Sequence, residues 1–135
     1  MVKINKNTKI VILIGGESLE REISISSGEN IIKSLSSQGF NAIPFDCKGN
    51  FIKNLIKIKP DVCFNALHGL GGEDGSIQSL LEKNNIPYTH SGISSSKICM
   101  NKVISKEVFL KNNINTPKHK PVSYTHLTLP TSVTV

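Results

Sequence analysis

Two apolar runs that each break off into glycines constrain the fold most. Val62 to Leu67 is apolar apart from Asn65 and leads into His68-Gly69-Leu70-Gly71-Gly72-Glu73-Asp74-Gly75, four glycines in eight residues. Helical spacing follows, with Ile77, Leu80 and Leu81 on one face. Ile10 to Ile14 is likewise continuous and apolar, as a strand buried on both faces must be, and it ends in Gly15-Gly16. Beyond it, Ile23, Ser27, Ile31 and Leu35 recur every four residues, which predicts a helix packed through that face. Ser27 and Gly28 are small enough for the helix to lie close to a sheet. Strand, glycine loop, helix is the pattern that places ligands at the carboxyl edge of an open α/β sheet.

The rest of the chain keeps the alternation. Strands are expected at Lys9–Ile14, Asn41–Phe45 and Asp61–Leu67, with a short one near Tyr88. Helices are expected at Glu20–Ser37, Phe51–Ile58, Ser76–Asn84, Ser94–Met100 and Lys102–Asn112. Gly39 is placed to stop the first helix, and Pro60 and Pro87 precede strands, where a missing N–H is tolerated. The expected fold class is α/β: an open parallel sheet with flanking helices and Rossmann-like or flavodoxin-like layering.

Composition narrows the function. The net charge is +6, but the 16 basic residues are almost all lysines spread along the chain, without the clustering or interleaved aromatics of a nucleic-acid binder. No apolar segment approaches the ~20 residues of a membrane span, and the five-residue run after Lys3, Lys6 and Lys9 is shorter than a secretory core of about 7–15. Cys47, Cys63 and Cys99 are widely separated and odd in number, which suggests neither a zinc site nor a disulfide framework. A cytoplasmic protein, with no nucleic-acid or membrane partner and no metal held by this chain, is expected.

Two residues carry candidate chemistry. Glu20 opens the first helix, where the dipole favours an ionised carboxylate of the kind an ammonium ligand needs; Glu22 competes by charge but faces elsewhere. His68 closes the third strand and can offer hydrogen bonds to a carboxylate or a forming anion. Glu73 and Asp74 are read as loop-positioning residues, Asp74 through the helix near Ser76. The first glycine loop lacks the G-x-G-x-x-G of a dinucleotide site, and the acidic strand ends of a signalling receiver are replaced by Gly15-Gly16 and Leu67-His68.

Four segments in order resemble the amino-terminal domain of D-alanine–D-alanine ligases: Gly15-Gly16-x-Ser-x-Glu-Arg-Glu-Ile-Ser, Ala66-Leu67-His68-Gly-x-Gly-Gly-Glu-Asp-Gly, Pro87-Tyr88-Thr89-x-Ser91-Gly92 and Met100-x-Lys102. The resemblance implies a substrate-binding α/β domain of the pre-ATP-grasp type over residues 1–97 and the start of an ATP-grasp region over 98–121. It further implies an ATP- and Mg2+-dependent ligase that joins two D-alanines through an acylphosphate for peptidoglycan. By the motifs, Glu20 and His68 are the catalytic residues; Glu20, Ser24, His68 and Gly69 contact the first D-alanine, and Lys102 reaches the phosphates of ATP. Asn101 stands where the family usually has Asp, and His90 where it usually has glycine.

Residues 122–135 lack the Lys, Asn and Ile abundant elsewhere. They are expected to be a non-native tail on an interrupted reading frame, and the chain by itself is expected to show no turnover. The alternative is a non-catalytic small-molecule-binding or dimerisation module; a homodimer through this domain suits either reading. The resemblance is compatible with either D-alanine or D-lactate as the parent enzyme's second substrate.

Overall fold

The computed structural model describes residues 4–120. The expected tail at 122–135 lies outside them. Three strands, β1 (Lys9–Ile14), β2 (Asn41–Asp46) and β3 (Val62–Asn65), form one parallel sheet in the order β2-β1-β3. Helices α1 (Arg21–Ser37), α2 (Ile52–Ile58), α3 (Ser76–Lys83), α4 (Ile93–Met100) and α5 (Lys102–Lys111) flank and extend it. Lys9 pairs with Asn41 and Ile10 with Val62, so β1 is central and hydrogen-bonded on both sides. The α/β layering is the one expected.

The unbroken apolar character of β1 follows from its two covered faces. Ile10, Ile12 and Ile14 join Ile31, Ile32 and Leu35 of α1 on one side. Val11 and Leu13 join Leu55 of α2 and Ile77 and Leu81 of α3 on the other. A strand covered on one face only would alternate.

Three expectations are corrected. The packing face of α1 is shifted: Ile23 is 56% exposed, whereas Ser24 and Gly28 are buried. A β-carbon at Gly28 would stand 2.1 Å from Cγ2 of Ile14, so the absent side chain sets the depth at which the helix rests on the sheet. β3 ends at Asn65 and not at Leu67, because Asn65 Oδ1 accepts from the Leu67 N–H at 3.1 Å and turns the chain. The segment at Tyr88 makes a single parallel bridge to Cys63 and no strand.

The helix stops act as read. Gly39, at φ +79, donates its N–H to the Ser36 carbonyl at the end of α1. Asn101 caps α5, its side chain accepting from the Val103 and Ile104 N–H groups. The domain boundary expected between residues 97 and 98 falls inside α4.

Candidate functional site

The loops after β1 and β3 meet at the carboxyl edge of the sheet and enclose a cleft of about 920 Å³. Gly15, Gly16, Ser18 and Glu20 line one side; His68, Gly69 and Gly71 line the other, and Phe51, Leu70, Leu80 and Met100 give it apolar walls. Gly15, Gly16, Gly69 and Gly71 all have positive φ, between 69° and 85°, which bends both loops sharply at little cost only because these residues are glycine.

Hydroxyl groups tie the two loops together. Ser18 Oγ donates to the His68 carbonyl at 2.8 Å. Ser24 Oγ donates to the Ala66 carbonyl at 2.7 Å and accepts the Gly15 N–H at 2.9 Å, which joins the ends of β1 and β3 to the first turn of α1. Ser24 is fully buried with its hydroxyl so engaged. It braces the site from beneath and does not line the cleft. Sequence reasoning gave Ser18 no role, although its motif, Gly-Gly-x-Ser, already contained it.

Arg21 and Asp46 form a second brace. The guanidinium donates to both carboxylate oxygens, at 2.8 and 2.5 Å, and to the Gly16 carbonyl at 2.9 Å. The hydrogen bonds from Arg21 hold the Asp46 carboxyl below its ordinary range, against a smaller opposing effect of burial. Neither residue was singled out from the sequence, because Asp46 lies 25 positions from Arg21 and only strand pairing brings them together.

The carboxylates near the cleft differ in what they already hold. Glu17 accepts the Gly49 N–H at 3.1 Å, and Glu73 accepts the Gly69 N–H at 2.8 Å. Asp74 accepts from the Gly71 and Ser76 N–H groups. Burial would raise the Asp74 carboxyl, but these N–H groups outweigh it and the net shift is downward. Glu73 and Asp74 thus fasten the loop as expected. Glu20 stands at the N-cap position of α1 with its carboxylate exposed and free of any protein hydrogen bond among the described residues. A β-carbon at Gly69 would lie 2.5 Å from Glu20 Oε2, so the first motif's carboxylate rests on the second motif's glycine. Glu22 does not line the cleft.

His68 lies three residues beyond β3, in the wall between this cleft and a smaller cavity of about 430 Å³. Its Nε2 is 3.2 Å from Ser27 Oγ. His90 fills the place of the smaller residue: its Nε2 is 3.3 Å from Asn65 Nδ2, its ring packs on Tyr88 with centroids 4.8 Å apart, and burial lowers its pKa. Lys102 does not line the main cleft; it borders an adjoining hollow with Asp74, Lys97 and Asn101, and Met100 is shared between the two. Among the described residues no group of three or more His, Cys, Asp or Glu is placed to hold a metal ion, and no helix is long and apolar enough to cross a membrane.

Comparison with known proteins bears directly on this cleft. A family model described as "D-ala D-ala ligase N-terminus" matches residues 51–91. A D-alanine–D-alanine ligase of Pelagibacter ubique is 51% identical over 111 residues, covering 82% of this chain and 36% of that protein. One from Francisella tularensis subsp. novicida is 47% identical over 116 residues, covering 85% and 39%. In structure, the ATP complex of the Bacillus anthracis ligase superposes with a TM-score of 0.70 at 37% identity, over 83% of this chain and 37% of that one. The chain spans a little over a third of the length of the relatives it matches.

Proposed function

The chain belongs, over its matched residues, with the amino-terminal part of the D-alanine–D-alanine ligase family, and we propose on that basis that its cleft holds the first D-alanine of an ATP-dependent ligation. One observation carries the assignment: of the acidic residues at the cleft, Glu20 alone has a carboxylate unclaimed by any described residue, and it faces the loop that carries His68. An ammonium group needs such an acceptor, and a charge-assisted hydrogen bond there is among the stronger kinds.

The role of each residue follows. Glu20 grips the amino group. Gly69, without a side chain, lets the substrate approach the loop backbone. His68 faces the substrate's carboxyl end and offers a hydrogen bond where negative charge grows. A free carboxylate resists attack by an amine; phosphorylation by ATP converts it to an acylphosphate with ADP departing, and the second D-alanine's nitrogen then displaces phosphate to form the amide. ATP supplies the phosphoryl group, and Lys102 beside Lys97 fits an anionic partner as a point charge. Magnesium serves to neutralise phosphate oxygens; none of the described residues is assigned to it. The segment from residue 98 is read as the start of the ATP-grasp region. The cytoplasm, where ATP is available, is its place, and the three free cysteines fit a reducing compartment.

The test is titration of D-alanine into the protein by calorimetry or NMR, with L-alanine for comparison. Glu20→Gln keeps the size and removes the charge. It should weaken D-alanine binding by about ten- to a hundredfold, the equivalent of ~1.5–3 kcal/mol for a lost charged hydrogen bond. Glu22→Gln should leave binding as it was. Equal affinities in the parent and Glu20→Gln proteins would remove Glu20 from the amine site.

A further inference from the structure

We propose that Ser27 is a positioning residue that fixes which nitrogen of His68 carries the proton, and so makes the ring a donor through Nδ1. A neutral imidazole has one N–H and one bare nitrogen, and the partner of one edge decides the character of the other. Among the described residues, Ser27 Oγ is the sole side-chain partner of the His68 ring, at 3.2 Å from Nε2.

The direction of that bond follows from the serine. A helical serine can give its proton to a backbone carbonyl, as Ser105 does, with the Ile98 carbonyl at 2.7 Å from its hydroxyl and that of Asn101 at 2.9 Å. Ser27 makes no such bond: the one acceptor within reach of its hydroxyl among the described residues is His68 Nε2. The hydroxyl therefore donates to Nε2, and the ring proton resides on Nδ1, the nitrogen with no partner among the described residues. Ser27 borders the smaller cavity and not the main cleft, so it acts on the ring from outside the ligand space.

The consequence for chemistry rests on the role given above to His68: a neutral ring held in this form presents a hydrogen-bond donor without first having to gain a proton. The proton's location itself stands on the contact alone and can be tested without ligand or turnover.

The experiment is long-range 15N–1H correlation spectroscopy of the histidine-labelled protein at mildly alkaline pH. His68 is assigned by the signal lost in His68→Asn. A protonated-type shift at Nδ1 and a bare-nitrogen shift at Nε2 are expected in the parent protein. Ser27→Thr, which retains the hydroxyl, should preserve that pattern. Ser27→Ala should lose it, with the shifts moving toward the Nε2–H form that a free histidine side chain favours. A parent spectrum with the proton on Nε2 would overturn the proposal, whether or not Ser27→Ala folds. So would an unchanged pattern in a folded Ser27→Ala protein, since a serine that only fills space would leave the tautomer alone. A parent protein that shows the Nδ1–H form yet binds no D-alanine would refute the substrate assignment and leave this one intact.

Discussion

Gly28→Ala sets two well-characterised effects against each other. Alanine in place of glycine inside a helix stabilises by roughly 0.5–1 kcal/mol. Here the new methyl would stand 2.1 Å from Ile14 Cγ2 and 3.3 Å from Ile14 Cβ. Ile14 is β-branched, so its χ1 has few alternatives, and it is held among Ile31, Ile32 and Leu35. The helix must lift off the sheet or Ile14 must leave its rotamer, and overpacking of this kind costs about 1–3 kcal/mol. Given so short an approach the upper part of that range applies, leaving a net loss of about 1–2 kcal/mol. At about 4–8 °C per kcal/mol for a domain of around a hundred residues, the melting temperature should fall by roughly 5–15 °C. Differential scanning calorimetry of the parent, Gly28→Ala, Ile14→Ala and the double variant reads both the loss and its cause. Ile14→Ala removes the clashing carbon, so the double variant should lose less than the sum of the two single changes. A melting temperature that rises in Gly28→Ala would mean that helix propensity prevails and that the helix–sheet contact is looser than described.

Other outcomes follow from the site. Gly69→Ala places a β-carbon at φ +69 and 2.5 Å from Glu20 Oε2; it should cost about 1–2 kcal/mol of stability from the backbone conformation and displace the carboxylate. The D-alanine titration should then show weaker binding, and an unchanged affinity would separate Gly69 from Glu20. Burial pushes the Cys47 and Cys63 thiols up to about 12, whereas Cys99 is exposed, so a disulfide reagent at mildly alkaline pH should label one thiol quickly and two only as the protein opens. The lowered Asp46 carboxyl contributes stability above its ordinary value of 3.8 and loses it as pH falls through the lower folded value. The melting-temperature gap between the parent and Asp46→Asn, small for a surface pair, should therefore close as the solution is acidified through that window.

Periodicity and punctuation reveal the alternation of strands and helices, because a strand covered on both faces and a helix stopped by Gly39 write themselves into residue type. Side chains that serve the backbone are less visible. Ile23 reads as core and Ser24 as surface on any hydrophobic pattern, yet the serine is buried because two strand-end backbone groups satisfy its hydroxyl. Asn65 ends β3 early through a bond to its own neighbour two positions on, which an apolar run cannot signal. Helix position and motif set Glu20 apart from Glu22 in the sequence, but only the fold shows that Glu17 is taken up by the Gly49 N–H while Glu20 stays free among the described residues.

The paired hydroxyl ties of Ser18 and Ser24 bear on the thermodynamics of ligand capture. They link the β1 loop, the β3 loop and the start of α1 through the protein's own groups. Chain segments already fixed lose little further freedom on association, so binding energy is not consumed in ordering them. Breaking one tie, as in Ser18→Ala, should therefore appear as an entropic penalty on capture while the groups that touch the ligand stay unaltered.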